Sequence, residues 1–104
     1  MINTIKKLLG LGPKADLSEL LKNGAVIIDV RSPGEYASGH VKGSVNVPLD
    51  SLKGKLGKFK KDVPVITCCA SGMRSGIARS AMLQAGFQKV YNGGSWHNLK
   101  KYDK

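Results

Sequence analysis

Cysteine, arginine, aromatics and long apolar runs are all scarce in this 104-residue chain, and each scarcity excludes something. There are two cysteines, Cys68 and Cys69, and they are adjacent. Neighbouring residues cannot staple a fold, and a disulfide between them would be strained, so a secreted disulfide scaffold is excluded. The pair points to a reducing compartment and a thiol kept for chemistry. The net charge is +10, yet arginine appears only as Arg31, Arg74 and Arg79, and aromatics number six. A nucleic-acid interface built on arginine with interleaved aromatics is therefore not expected. The lysines read as a solvated surface with some attraction for small anions. The first apolar run, Leu8, Leu9 and Leu11, stops at Pro13 and is too short for a signal-peptide core or a membrane span. No repeat, low-complexity tract, metal-ligand cluster or organic cofactor motif is present. The expectation is a cytoplasmic protein that uses neither metal nor cofactor.

The 41% hydrophobic content suits one globular domain with a single core. Residues 1–14 form a separate amphipathic segment, with Ile2, Ile5, Leu8 and Leu9 on one helical face. Packing against the domain at 15–104 is the plain expectation for it; contact of residues 1–12 with a membrane surface or a partner is the alternative. Asp16 and Glu19 make a capping box that opens a short helix through Lys22, ended by Gly24. Residues 25–30 are a continuous β-branched run, as in a parallel strand covered on both faces. Ser32, Pro33 and Glu35 make a second capping box. Val45–Val47 reads as a short strand, and Asp50 as the cap of a lysine-rich helix over about 51–58. Val63–Thr67 is a second buried strand that runs into the cysteines. From Arg74 the pattern is helical, with Ile77, Ala78, Ala81, Met82 and Ala85 inward and Gly86 as the stop. Lys89–Tyr91 is a last short strand, followed by Gly93 and Gly94 and a terminal helix near Trp96. Strands alternating with helices imply a small parallel-sheet α/β domain with helices on both faces. Ligands bind such sheets at the carboxyl ends of the strands, where Cys69 lies.

The segment Cys69-Ala-Ser-Gly-Met-Arg74-Ser75 has a physical logic. A tight loop ahead of a helix turns backbone N–H groups inward and makes an anion cradle. Ala70, Ser71 and Gly72 are small enough for that backbone to wrap around one atom, while Arg74 adds fixed positive charge at the rim. A thiol at the centre is expected to be acidified. Ser71 either caps the helix or bonds toward bound sulfur. Met73 is neutral and gives no charge clue to the ligand.

Three segments then carry a resemblance. They are Ile28-Asp-Val-Arg31 with Glu35-Tyr-Ala-Ser-Gly-His-Val-Lys-Gly-Ser-Val-Asn-Val-Pro48; Cys69 to Ser75; and Gly93-Gly94 shortly before Trp96. Together they resemble the single-domain rhodaneses, a family of thiosulfate-type sulfurtransferases. The resemblance implies that Cys69 carries a persulfide and that residues 69–74, followed by Ser75, form the substrate-binding loop. A small anionic sulfur donor and a thiol or cyanide acceptor are the implied partners. Asp29 and Arg31 map onto a buried structural clasp, Glu35 and His40 onto a structural Glu-x-x-x-Gly-His element, and Trp96 onto a core aromatic. His97 lacks motif support and is expected on the surface. Gly93-Gly-Ser-Trp96 is shorter than the usual spacing, so the final helix is expected to dock in its own way.

Cys68 leaves an alternative count. From Cys69 the loop reads Cys-x4-Arg; from Cys68 it reads Cys-x5-Arg, the spacing of tyrosine phosphatases and thiol-dependent arsenate reductases. No acid to protonate a leaving group stands out. Cys68 is expected as a buried strand residue, with a resolving-thiol role as the second option. A non-catalytic binding module on the same fold would be expected to lack either the cysteine or the arginine, and both are present.

Overall fold

The computed structural model describes residues 16–104. The amphipathic segment expected at 1–14 lies outside them. Helix α1 (Leu17–Lys22) starts where Asp16 accepts a hydrogen bond from the Glu19 N–H. Strand β1 (Val26–Asp29) follows, then α2 (Pro33–Ser38), whose Ser32 and Glu35 form the full reciprocal capping box with proline in the first turn. Strand β2 is only Val45–Asn46. Strand β3 spans Val65–Cys69, α3 is a single turn at Leu52–Lys55, and α4 runs Met73–Gln84. Strand β4 spans Val90–Ser95, and a 3₁₀ helix at Trp96–Tyr102 ends the ordered path.

The four strands form one parallel sheet in the order β2-β1-β3-β4. This is the small α/β sheet with helices on both faces that the alternating pattern implied. Strand alternation divides the apolar side chains between two clusters. On one face Ile28, Val30, Val65 and Cys69 pack with Leu52, Ala78, Met82 and Phe87. On the other, Ala25, Ile27, Ile66 and Cys68 pack with Val41 and Leu99, backed by Leu17, Leu20 and Trp96. Ile66 and Leu52 are 0% and 1% exposed, and cutting either to alanine costs about 2–5 kcal/mol.

Four local expectations are corrected. Asp50 caps nothing: the stretch from Leu49 to Lys58 breaks into a 3₁₀ turn, α3 and a second 3₁₀ turn, with no side-chain cap on any of them. Gly54 and Gly57 interrupt what a continuous helix would need. Ile77 is 55% exposed, because the buried stripe of α4 is Ser75, Ala78 and Met82. Both cysteines lie within β3 rather than beyond it. Gly93 and Gly94 do not end the last strand either. A Cβ on Gly93 would sit 2.9 Å from Ile66 Cγ2 and from Leu99 Cδ1, so glycine lets β4 continue where any side chain would collide.

Candidate active site

Cys69 is the last residue of β3, and the loop Ala70–Gly72 joins it to α4. The turn depends on Gly72, whose φ of +102° belongs to the left-handed region. A Cβ there would lie 3.3 Å from the Gly94 Cα. This conformation aims the Gly72 N–H at the Cys69 Sγ, 2.9 Å away. Gly72 also occupies the N-cap of α4 without a side-chain bond, so Ser71 is not the cap. Ser71 bears on the sulfur through its backbone N–H, as does Ser75. The Cys69 Sγ lies 3.4 Å from the Ser75 hydroxyl oxygen.

Cys69 is 0% exposed. Burial pushes its thiol up, but the Ser75 hydroxyl and the N–H groups of Ser75, Gly72 and Ser71 outweigh that and hold it below the ordinary value. Cys68, also 0% exposed, points to the opposite sheet face, among Ala25, Ile27 and Leu99. Burial first, and then the charge of Asp29, push its thiol up to about 12.

A second layer, unmarked in the sequence, holds the cradle. Asn92 on β4 accepts from the Ser75 hydroxyl at 2.6 Å and from the Gly94 N–H at 2.9 Å, and donates to the Gly72 carbonyl at 3.2 Å. One side chain thus ties together Ser75 and Gly72, two of the residues that meet the sulfur. Thr67, 0% exposed, donates to the Ser75 carbonyl at 2.9 Å. Neither belongs to the motif segments, and their role follows only from the pairing of β3 with β4.

Arg74 does not turn into the loop. Its two terminal nitrogens meet the two oxygens of Glu35 at 2.7 Å and 3.0 Å. Glu35, expected as a structural residue, also closes the capping box with Ser32. Its Oε1 also accepts from the Ser32 N–H at 3.0 Å and the Ser32 hydroxyl at 3.1 Å. The Arg74 bond first, and the Ser32 N–H next, draw the carboxyl down to about 2. The same bond raises the Arg74 pKa, so both partners stay charged.

The Asp29–Arg31 clasp is buried, at 0% and 4% exposure. Arg31 Nε lies 2.9 Å and 3.0 Å from the two Asp29 oxygens, and Nη2 lies 2.8 Å from Oδ2. Nη2 also donates to the Gly39 carbonyl at 2.6 Å, and the guanidinium rests on the half-buried Trp96 ring, 4.5 Å from its centroid. His40 donates through Nδ1 to the Tyr36 carbonyl at 2.7 Å and stacks on the Tyr36 ring. These residues join β1, α2 and the last 3₁₀ helix, and none touches the sulfur. His97 is exposed and tilts against Trp96. Ala70, Ser71 and Met73 are exposed, Met73 at 76%. Lys58 and Lys60 line a hollow of about 290 Å³ at the amino ends of β1 and β3, the far end of the sheet from Cys69.

No group of three or more metal-ligating side chains is assembled among the described residues. No helix there is long and apolar enough to cross a membrane.

The rhodanese-like domain model matches residues 13–101. The chain is 38% identical over 68 residues to YqhL, an uncharacterized protein of Bacillus subtilis, a match spanning 65% of this chain and 54% of that one. It is 34% identical over 74 residues to the thiosulfate sulfurtransferase GlpE of Pseudomonas paraeruginosa, spanning 71% of this chain and 67% of the relative. Among solved structures, a rhodanese from E. coli with bound anions aligns at TM-score 0.69 and 31% identity, covering 72% of this chain and 91% of that one. A human single-domain sulfurtransferase aligns at TM-score 0.74 and 25% identity, covering 86% and 93%.

Proposed function

Since the chain belongs to the rhodanese-like family, we propose that it is a sulfurtransferase whose Cys69 carries the sulfur as a persulfide. Similarity to thiosulfate sulfurtransferases supports a sulfurtransferase-type function for the domain at 15–104. The observation that carries the finer reading is the sulfur cradle: a buried thiol with the Gly72 N–H at 2.9 Å and a pKa held down by its hydrogen bonds.

In the first step the Cys69 thiolate attacks the outer sulfur of thiosulfate. The new S–S bond forms as the old one breaks; the bonding pair leaves with sulfite, and the persulfide anion stays on Cys69. The N–H groups of Ser71, Gly72 and Ser75, already turned inward, stabilise that anion without rearranging. In the second step a thiol or cyanide takes the outer sulfur and restores the thiolate. Because Cys69 is fully covered, the donor reaches it only where the loop parts. The residues that give way are Ala70, Ser71 and Met73, which are exposed.

Cys68 serves the fold in this reading. Its position on the other sheet face and a pKa near 12 argue against a resolving thiol and against the Cys-x5-Arg count. A cytoplasmic setting, where thiols stay reduced, suits two free cysteines.

Intact mass after thiosulfate treatment, with peptide mapping, tests the reading. One added sulfur on Cys69, removed by cyanide or a dithiol and absent in Cys69→Ser, is the expected result. Sulfur on neither cysteine, with phosphatase or arsenate activity dependent on Cys68, overturns it.

A further inference from the structure

Arg74 is the one cation the sequence assigns to the loop, and its fork is occupied. Both terminal nitrogens are bound by the two oxygens of one carboxylate, the side-by-side geometry in which arginine binds carboxylates and oxyanions. A sulfonate group offers the same pair of oxygens to the same fork. Glu35 is also anchored independently of Arg74, because the Ser32 N–H and hydroxyl hold its Oε1. It therefore stays in place when Arg74 moves, as a fixed internal rival for any anionic ligand of that side chain. Its charge cancels that of Arg74 beside a thiolate that is itself negative. Lys58 and Lys60 lie at the other end of the sheet and do not restore that charge, since exposed charges farther off than about 8 Å are screened at physiological salt.

We propose that Glu35 is a specificity residue: as an internal carboxylate ligand of Arg74, it weakens the site's hold on doubly charged sulfonate-type donors relative to donors that carry no sulfonate. The proposal rests on Cys69 being the sulfur carrier, and it adds a role beyond holding α2 together.

Glu35→Gln is the suited variant, because glutamine keeps the capping box and removes only the charge. Two donors are compared, thiosulfate and cysteine persulfide, at low and high salt. The ratio of their kcat/KM values should shift toward thiosulfate by about two- to fivefold in Glu35→Gln, the size expected of a partly exposed ion pair. The change should appear in the KM for thiosulfate and shrink as salt rises. A second arm reads binding without turnover: thiosulfate should bind Cys69→Ser/Glu35→Gln more tightly than Cys69→Ser in calorimetry. An unchanged donor ratio, or a raised KM for thiosulfate, would reduce Glu35 to a prop for Arg74 and overturn the proposal. If the native chain takes sulfur from neither donor, the transferase reading fails instead, and the calorimetric arm still decides on Glu35.

Discussion

Cys68 and Cys69 are the same side chain on consecutive residues of one strand, both fully buried, and their surroundings shift the two thiol pKa values in opposite directions. Cys68 looks into an apolar cluster with the Asp29 carboxylate nearby and is pushed up to about 12. Cys69 looks toward the start of α4, where the Gly72 N–H and the Ser75 hydroxyl meet it. The half-turn between neighbours on a strand decides which thiol sits among apolar side chains and which among hydrogen-bond donors. Burial is common to both, so the difference comes from donors aimed at the sulfur rather than from exposure.

The most severe break in this pairing is Cys69→Ser, which should lower sulfur uptake from thiosulfate by about a thousandfold or more. Cys68→Ala should keep the uptake, with mapping placing the added sulfur on Cys69. Sulfur on Cys68 in the native chain would reverse the assignment.

Next in size, Gly72→Ala attacks the cradle itself. Alanine at φ +102° costs about 1–3 kcal/mol and presses on β4 at Gly94. The melting temperature should fall, and Cys69 alkylation should need a higher pH, since the closest N–H is displaced. A normal alkylation profile in a destabilised variant would mean that Gly72 serves only the turn.

Cys68 gives a stability prediction with a definite sign. Its folded pKa is raised, so the stabilisation is complete below the unfolded value near 9 and is lost as pH rises toward about 12. Denaturant titrations should show stability falling by up to about 1.4 kcal/mol per pH unit across that window. Cys68→Ala should flatten this slope. An equal slope in the variant would place the alkaline loss elsewhere, in the tyrosines or lysines.

The smallest effect sharpens the contrast from the other side. Ser75→Ala removes a hydrogen bond that lowers the Cys69 pKa, so the thiolate should form only at higher pH and the alkylation curve should move up. Asn92→Ala, which frees the Ser75 hydroxyl and the Gly72 carbonyl, should alter that curve, and the two changes should be non-additive. Strict additivity would show that Asn92 does not act through Ser75.

What the sequence made legible was mostly what depends on near neighbours. The box of Ser32 and Glu35, the β-branched run of β1 and the strand–loop–helix passage at Cys69 all involve residues a few positions apart. Asp50 misled because capping chemistry was read without the glycines at 54 and 57, which break the helix it would have capped. Ile77 misled because the stripe of α4 is set by its packing on β3 and β4, and a serine takes one buried place. Glu35 and Arg74 were each singled out, yet their pairing spans 39 residues and needed the sheet to be assembled. Asn92 and Thr67 carried no motif, and only the register of β3 against β4 sets them beside the cradle.

That register also sets a timetable. Asn92 belongs to β4, so as the chain leaves the ribosome Cys69 emerges with Gly72 and Ser75 but ahead of the side chain that ties those two together. A nascent chain that has released α4 but not β4 carries those donors without the Asn92 bonds that fix them. The cradle is therefore fastened only once β4 has paired with β3.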